Sequence, residues 1–129
     1  MSFARVLPFV MVAFVACPIA DASAAPSFNC KKAKALVEKQ ICGNPEFEPL
    51  DRDIASLYTR SLAVLTKPDG DALREEQRAW VKERDECEDF IHGDPVIMAD
   101  VLQCLRKTMS ARKERLQAIF ERKQFFKKD

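Results

Sequence analysis

From Leu50 the chain places Leu50, Ile54, Leu57, Tyr58, Leu62 and Leu65, with Ser61 among them, at intervals of three and four, the spacing of one buried helical face. In "TKPDGD", Pro68 and Gly70 predict a break, and Asp69 or Asp71 stands where it can cap a further helix. That helix carries the strip Leu73, Gln77, Trp80, Arg84 and Cys87. "HGDP" gives a second stop and start, with Asp94 as N-cap and Pro95 as first helical residue. A long helix follows, with Met98, Leu102, Leu105, Met109, Arg112, Leu116, Ile119 and Phe120 on one face. Upstream, Ala35 to Ile41 predicts a short helix that the Gly and Pro residues of "CGNPEFEP" end. Strand-like alternation, internal repeats and low-complexity blocks are all missing from the pattern. The expected fold is all-α, an irregular bundle of one short and three longer helices.

Two of these strips carry a group that resists burial. Arg84 lies near the middle of the third helix's strip, Arg112 near the middle of the fourth's, and Asp51 at the edge of the second's. A guanidinium buried alone is costly, whereas a paired one is accommodated. One expectation is a polar cluster in which Asp51, with Tyr58 and Gln77 as hydrogen-bonding neighbours, satisfies Arg84, Arg112 or both. The alternative is that both arginines lay their stems along the rim and keep their heads in water.

Ahead of the helices, Val6 to Ala20 is a nearly unbroken apolar run behind the single charge of Arg5. It is shorter than the roughly 20 residues a spanning helix needs, and it contains Pro8 and Pro18. "DASAAP" then supplies Ala22 and Ala24 as an A-x-A cleavage site. Residues 1–24 are therefore expected to be a signal peptide and residues 25–129 a single domain, periplasmic or secreted. A lipid anchor on Cys17 is the alternative route, although "FVAC" has Phe14 where a smaller aliphatic residue is usual. Cys30, Cys42, Cys87 and Cys104 remain, an even set in an exported chain, the setting in which disulfides persist. Four cysteines allow three connectivities, and the sequence leaves them open. The local choice, Cys30 to Cys42 and Cys87 to Cys104, requires Cys30 to lie outside the first helix. Eleven intervening helical residues would separate the ends by about 18 Å, while bridged Cα atoms lie within about 7 Å. No close Cys pairs suit zinc, and His92 is the one histidine.

Charge adds direction to this picture. The net charge is +1, but Asp69 to Asp94 holds ten acidic against four basic residues, and Leu105 to Asp129 nine basic against three acidic. The acidic stretch can steer a basic partner. The basic end, with Phe125 and Phe126, can approach an anionic surface. Alternatively, the two helices pack antiparallel and neutralise one another. An enzyme is not indicated: no nucleophile stands beside a base, Glu75 and Glu76 point to different helix faces, and no phosphate-cradling Gly-rich loop occurs. No cofactor or metal is implied, and near-balanced charge with export argues against nucleic acid.

The succession "SFNCKKAKALVEKQIC", "LDRDIASLY", "EQRAWVKERDEC" and "CLRKTMSARKERL" resembles the LprI-type lysozyme inhibitor N-terminal domain, from about Phe28 to Leu116. The resemblance implies an all-helical periplasmic or cell-surface protein with internal disulfides. Glu38, Asp51, Tyr58, Gln77, Trp80, Arg84 and Arg112 fall on the family's recurrent positions; because these lie on inward faces, they read as fold-determining. Asn29 stands where the family often has Asp, and Leu36 where it often has Pro. The function so implied is binding and blocking of a lysozyme, whose cleft holds a general-acid carboxyl and a second carboxylate. "EDFIHGDP", with Phe90, Ile91, His92, Gly93 and Asp94, is the candidate protrusion, held near its ends if Cys87 and Cys104 are bridged; the alternative is that it is a solvated linker, an ordinary connection of this length. The other function class is a non-inhibitory helical module that binds another envelope protein or an anionic polymer.

Overall fold

A capping group or a proline sets the starts of the first three helices; the structure, a computed structural model, describes residues 26–91 and 98–126. The helices are α1 (Leu36–Gly43), α2 (Phe47–Val64), α3 (Lys67–Asp85) and α4 (Met98–Phe126), with 3-10 turns at Cys30–Lys32 and Glu86–Ile91. Among the described residues there is no strand. The start of α1 leaves N–H groups without helical partners. Glu38 Oε2 accepts from the backbone N–H of Lys34 at 2.8 Å and of Ala35 at 3.3 Å, and Glu88 Oε1 accepts from Val37 N–H at 2.7 Å.

Helix α2 begins at Phe47, ahead of the Leu50 start that periodicity predicts. Asn44 organises the entry: its Oδ1 accepts from Glu46 N–H at 2.9 Å, and its carbonyl accepts from Phe47 and Glu48 N–H. Pro49 then occupies the first turn, where a missing N–H costs nothing. Fully buried Phe47 thereby joins the core.

The α2 to α3 corner is tighter than the sequence suggested, and its cap is Thr66 rather than Asp69 or Asp71. Leu65 is extended, Thr66 Oγ1 accepts from Asp69 N–H at 3.5 Å, and Pro68 and Gly70 fall inside the first turn of α3. Proline here opens a helix instead of ending one, because the first-turn N–H groups have no helical acceptor. Asp94 and Pro95, expected to start α4, lie outside the described residues, as do residues 1–24 with Cys17.

Helix α4 is the spine of the bundle, and its most extensive interface is with α2. Glu46 with Arg106, Asp53 with Lys113 and Ser61 with the Leu116 carbonyl rise together in number, so α2 and α4 run parallel. Asp69 with Lys123, Glu76 with Arg115 and Cys87 with Cys104 run in opposite senses, so α3 is antiparallel to α4. Val37, Ile41, Phe47, Ile54, Leu73, Val101, Leu105, Met109 and Leu116 fill the space enclosed.

Both disulfides are the local ones: Cys30–Cys42 has a Cα–Cα distance of 5.8 Å and Cys87–Cys104 one of 5.7 Å. Cys30 sits on the first 3-10 turn, outside α1, and the chain doubles back to meet Cys42. Cys87 sits on the second 3-10 turn and ties the end of α3 to α4 across the connecting segment.

Candidate functional site

The polar interior between α3 and α4 is built around Trp80. Its indole Nε1–H donates to the Thr108 carbonyl on α4 at 3.3 Å, and two guanidinium carbons approach its ring, Arg84 at 5.6 Å and Arg112 at 5.8 Å from the centroid. At that range a cation is attracted by the ring's negative face. Arg112, 4% exposed, donates from Nε and Nη2 to Gln77 Oε1 at 3.0 and 2.7 Å, and from Nη1 to Glu76 Oε1. Arg115 reaches the same carboxylate from the solvent side at 3.2 and 3.3 Å. Burial raises the Glu76 pKa, but the bonds from Arg115 and Arg112 outweigh it, and the carboxyl ends below its ordinary value.

Arg84 is buried too, and donates from Nε and Nη2 to Asp85 Oδ1 at 2.9 and 2.7 Å. Its charge also reaches Glu38. The Glu38 pKa is lowered chiefly by the Lys34 N–H, against the opposing effect of burial, with Ala35 N–H and Arg84 adding to the lowering.

Of the residues expected to cluster, Gln77 and Arg112 meet directly and Arg84 shares Trp80 with Arg112. Asp51 turns elsewhere: buried, it accepts from Ser27 N–H at 2.6 Å and ties the segment before the first disulfide to α2. Tyr58 packs half-buried against the core. The carboxylates that do serve the arginines, Glu76 and Asp85, escape a reading of apolar strips because each is a sequence neighbour of the strip instead of a member. Phe90 and Ile91 belong to the second 3-10 turn by backbone, while His92, Gly93 and Asp94 lie outside the described residues.

Outside the Trp80 layer, α3 and α4 enclose between them a groove of about 790 Å³ that is open to solvent. The α3 wall presents Ala79, Glu83 and Glu86, and the α4 wall presents Lys107, Ala111 and Arg115. The floor is the rim of Trp80, the Thr108 side chain and the Cys87–Cys104 bridge. Ala79, Glu83, Ala111 and Arg115 each immediately precede a buried residue of their helix, so the groove is the face one step around from the buried strip. Among the described residues no group of three or more His, Cys, Asp or Glu side chains is placed to hold a metal ion.

A model of the family described as lysozyme inhibitor LprI matches residues 30–94, half of the 129-residue chain. The chain belongs to the LprI lysozyme inhibitor family. No curated protein and no solved structure matches it. The LprI match spans the first disulfide, α1, α2, α3 and Cys87, and so contains the caps of α1, the α3 side of the Trp80 layer and the α3 wall of the groove, but not the α4 residues that face them. Both departures from the residues expected of LprI proteins fit locally. Asn29 caps the first 3-10 turn, its Oδ1 accepting from Lys31 N–H at 3.0 Å, a task Asp performs equally. Leu36 is the first residue of α1, where proline is tolerated and not required.

Proposed function

We propose that this LprI-family chain is exported, is cleaved after Ala24, and binds and blocks a lysozyme without catalysing a reaction itself. The family match over residues 30–94 carries this reading. Two disulfides support export, since such bridges persist in oxidising compartments. Among the described residues no helix is long and apolar enough to cross a membrane. A frame braced by two disulfides, one of which ties the end of α3 to α4, also suits inhibition, because a pre-ordered surface loses less entropy on binding.

The other reading, attraction to an anionic polymer through the basic fourth helix, draws less support. Arg106, Arg112, Lys113, Arg115 and Lys123 are spent on carboxylates of α2, α3 and the turn before α2. The test is a peptidoglycan-lysis assay in which the oxidised protein is titrated against lysozymes of several classes. Slowing that saturates with concentration for at least one class is the expected result. Lysis unchanged at high molar excess for every class would refute inhibition, and a pull-down from envelope extract would then identify the partner. Replacing "FIHGDP" by a Gly/Ser linker shows whether the connecting segment takes part.

A further inference from the structure

We propose that the groove between α3 and α4 is the surface that receives the lysozyme, and that it holds a lysine or arginine side chain of the enzyme between Glu83 and Glu86. The inference rests on the inhibitor reading and adds to it a place and a chemistry. The acidic groups of α3 and the following turn are mostly engaged. Asp71 is paired with Lys67 and Arg74, Glu75 with Arg78, and Asp69 with Lys123. Glu76 and Asp85 hold the buried arginines, and Glu88 caps α1. Glu83 and Glu86 differ. Both are exposed, both stand on one wall of the groove, and among the described residues neither has a cation within ion-pair distance. Two like charges three residues apart on a helix repel, and a cation placed between them removes that repulsion.

The opposite wall completes the recognition. Lys107 is exposed and without a carboxylate among the described residues, and the Thr108 hydroxyl lies beside it. These are donors for the backbone carbonyls of an extended segment whose basic side chain points across to α3. Ala79 and Ala111, small and exposed, leave the middle of the groove clear for a chain to lie down. The floor is rigid, because Trp80 is bonded to α4 and the Cys87–Cys104 bridge prevents the walls from separating. A groove open to solvent suits a protein segment better than a small ligand, which a closed cavity would surround.

The test compares lysis inhibition and direct binding to a basic chicken-type lysozyme for four variants, each first shown to melt like the wild type. Glu83→Lys/Glu86→Lys reverses the proposed contact, and Glu114→Lys/Glu121→Lys makes the same change in net charge at exposed sites outside the groove. Ala111→Trp fills the groove without altering charge, and Ala118→Trp places the same bulk on an exposed site elsewhere on α4. Expected are losses of about tenfold or more in affinity for the first and third variants, with the second and fourth near wild type and the wild-type affinity falling as salt rises. Equal losses in both charge-reversed variants, with Ala111→Trp unaffected, would reduce the effect to a long-range field and overturn the assignment. Inhibition retained by all four would remove the groove and leave the inhibitor reading standing. A wild type that neither binds nor slows the enzyme would remove both.

Discussion

Arg84 and Arg112 share one indole and both are buried, yet their losses are not equivalent. Arg112 binds a half-buried amide and a half-buried carboxylate from a neighbouring helix, so removing it opens the α3 to α4 contact and leaves Gln77 without its donors. Arg84 binds only Asp85, whose side chain is 44% exposed and can turn to water. Arg112→Met should therefore cost about 2–4 kcal/mol in denaturant unfolding and Arg84→Met about 1–2 kcal/mol. Equal costs would mean that Trp80, common to both, dominates. The position of both arginines in apolar strips was legible in the sequence, because helical spacing alone puts them inward. Their partners were not: which carboxylate reaches a guanidinium depends on side-chain direction and helix rotation, and Glu76 and Asp85 sit one step off the strips. Asp51 shows the same limit, since its partner Ser27 lies in a segment with no periodicity to read.

At the scale of the elements, helix existence and type follow from periodicity, and the starts shift with local capping. Pro49 and Pro68 read as punctuation, but each falls in a first turn, and both helices begin earlier than apolar spacing suggests. Gly70 follows from this correction. It is buried within α3, and a β-carbon there would meet Arg74 Nη1 at 3.5 Å and Leu62 Cδ2 at 3.7 Å, ordinary contact distances. Gly70→Ala should stabilise the fold by about 0.5–1 kcal/mol, by restricting the unfolded chain and favouring helix. Thr66→Ala should cost about 1 kcal/mol through loss of the cap. If Gly70→Ala lowers the unfolding midpoint, the first turn of α3 is misplaced.

Carboxylates at helix starts and between helices set the pH response. Glu38, Glu46, Asp69 and Glu76 all titrate below their ordinary values, held down by the Lys34 N–H at Glu38, by Arg106 at Glu46 and by Lys123 at Asp69; at Glu76, Arg115 and Arg112 override burial. Each of these groups is charged in both folded and unfolded chains well above about pH 4, so its contribution is then complete. As pH falls through the unfolded-state values, the unfolded chain takes up protons that the folded one refuses, and stability declines until the folded carboxyls protonate as well. Melting temperature should thus be level from about pH 7 to 5 as far as these groups are concerned and fall below about pH 4. Glu38→Gln should lower stability at neutral pH and flatten the acid limb. An unchanged acid limb in that variant would remove Glu38 from the account.

Across the whole molecule, charge that looks segregated in the chain is largely neutralised in space. The acidic α3 and the basic α4 face each other antiparallel, the arrangement that opposite-signed segments permit and composition alone cannot demand. Among the described residues, the charges this pairing leaves without a partner include Glu83 and Glu86 on one side of the groove and Lys107 on the other. The two disulfides act on different parts of this body. Cys30–Cys42 closes a loop at the edge, with Cys30 exposed, whereas Cys87 is fully buried and its bridge forms part of the groove floor. On chain-entropy grounds each bridge contributes about 3 kcal/mol, against a total stability of about 5–15 kcal/mol for a domain of this kind. Reductant should therefore open Cys30–Cys42 first, because access governs thiol attack. Cys30→Ala/Cys42→Ala should lower the melting temperature while affinity for a lysozyme, measured well below the transition, stays near wild type. Cys87→Ala/Cys104→Ala should lower both, because α3 and α4 are then free to move apart at the groove. Equal loss of affinity in the two double variants would mean that the bridges act on binding only through overall stability, and that the groove floor has no separate part in it.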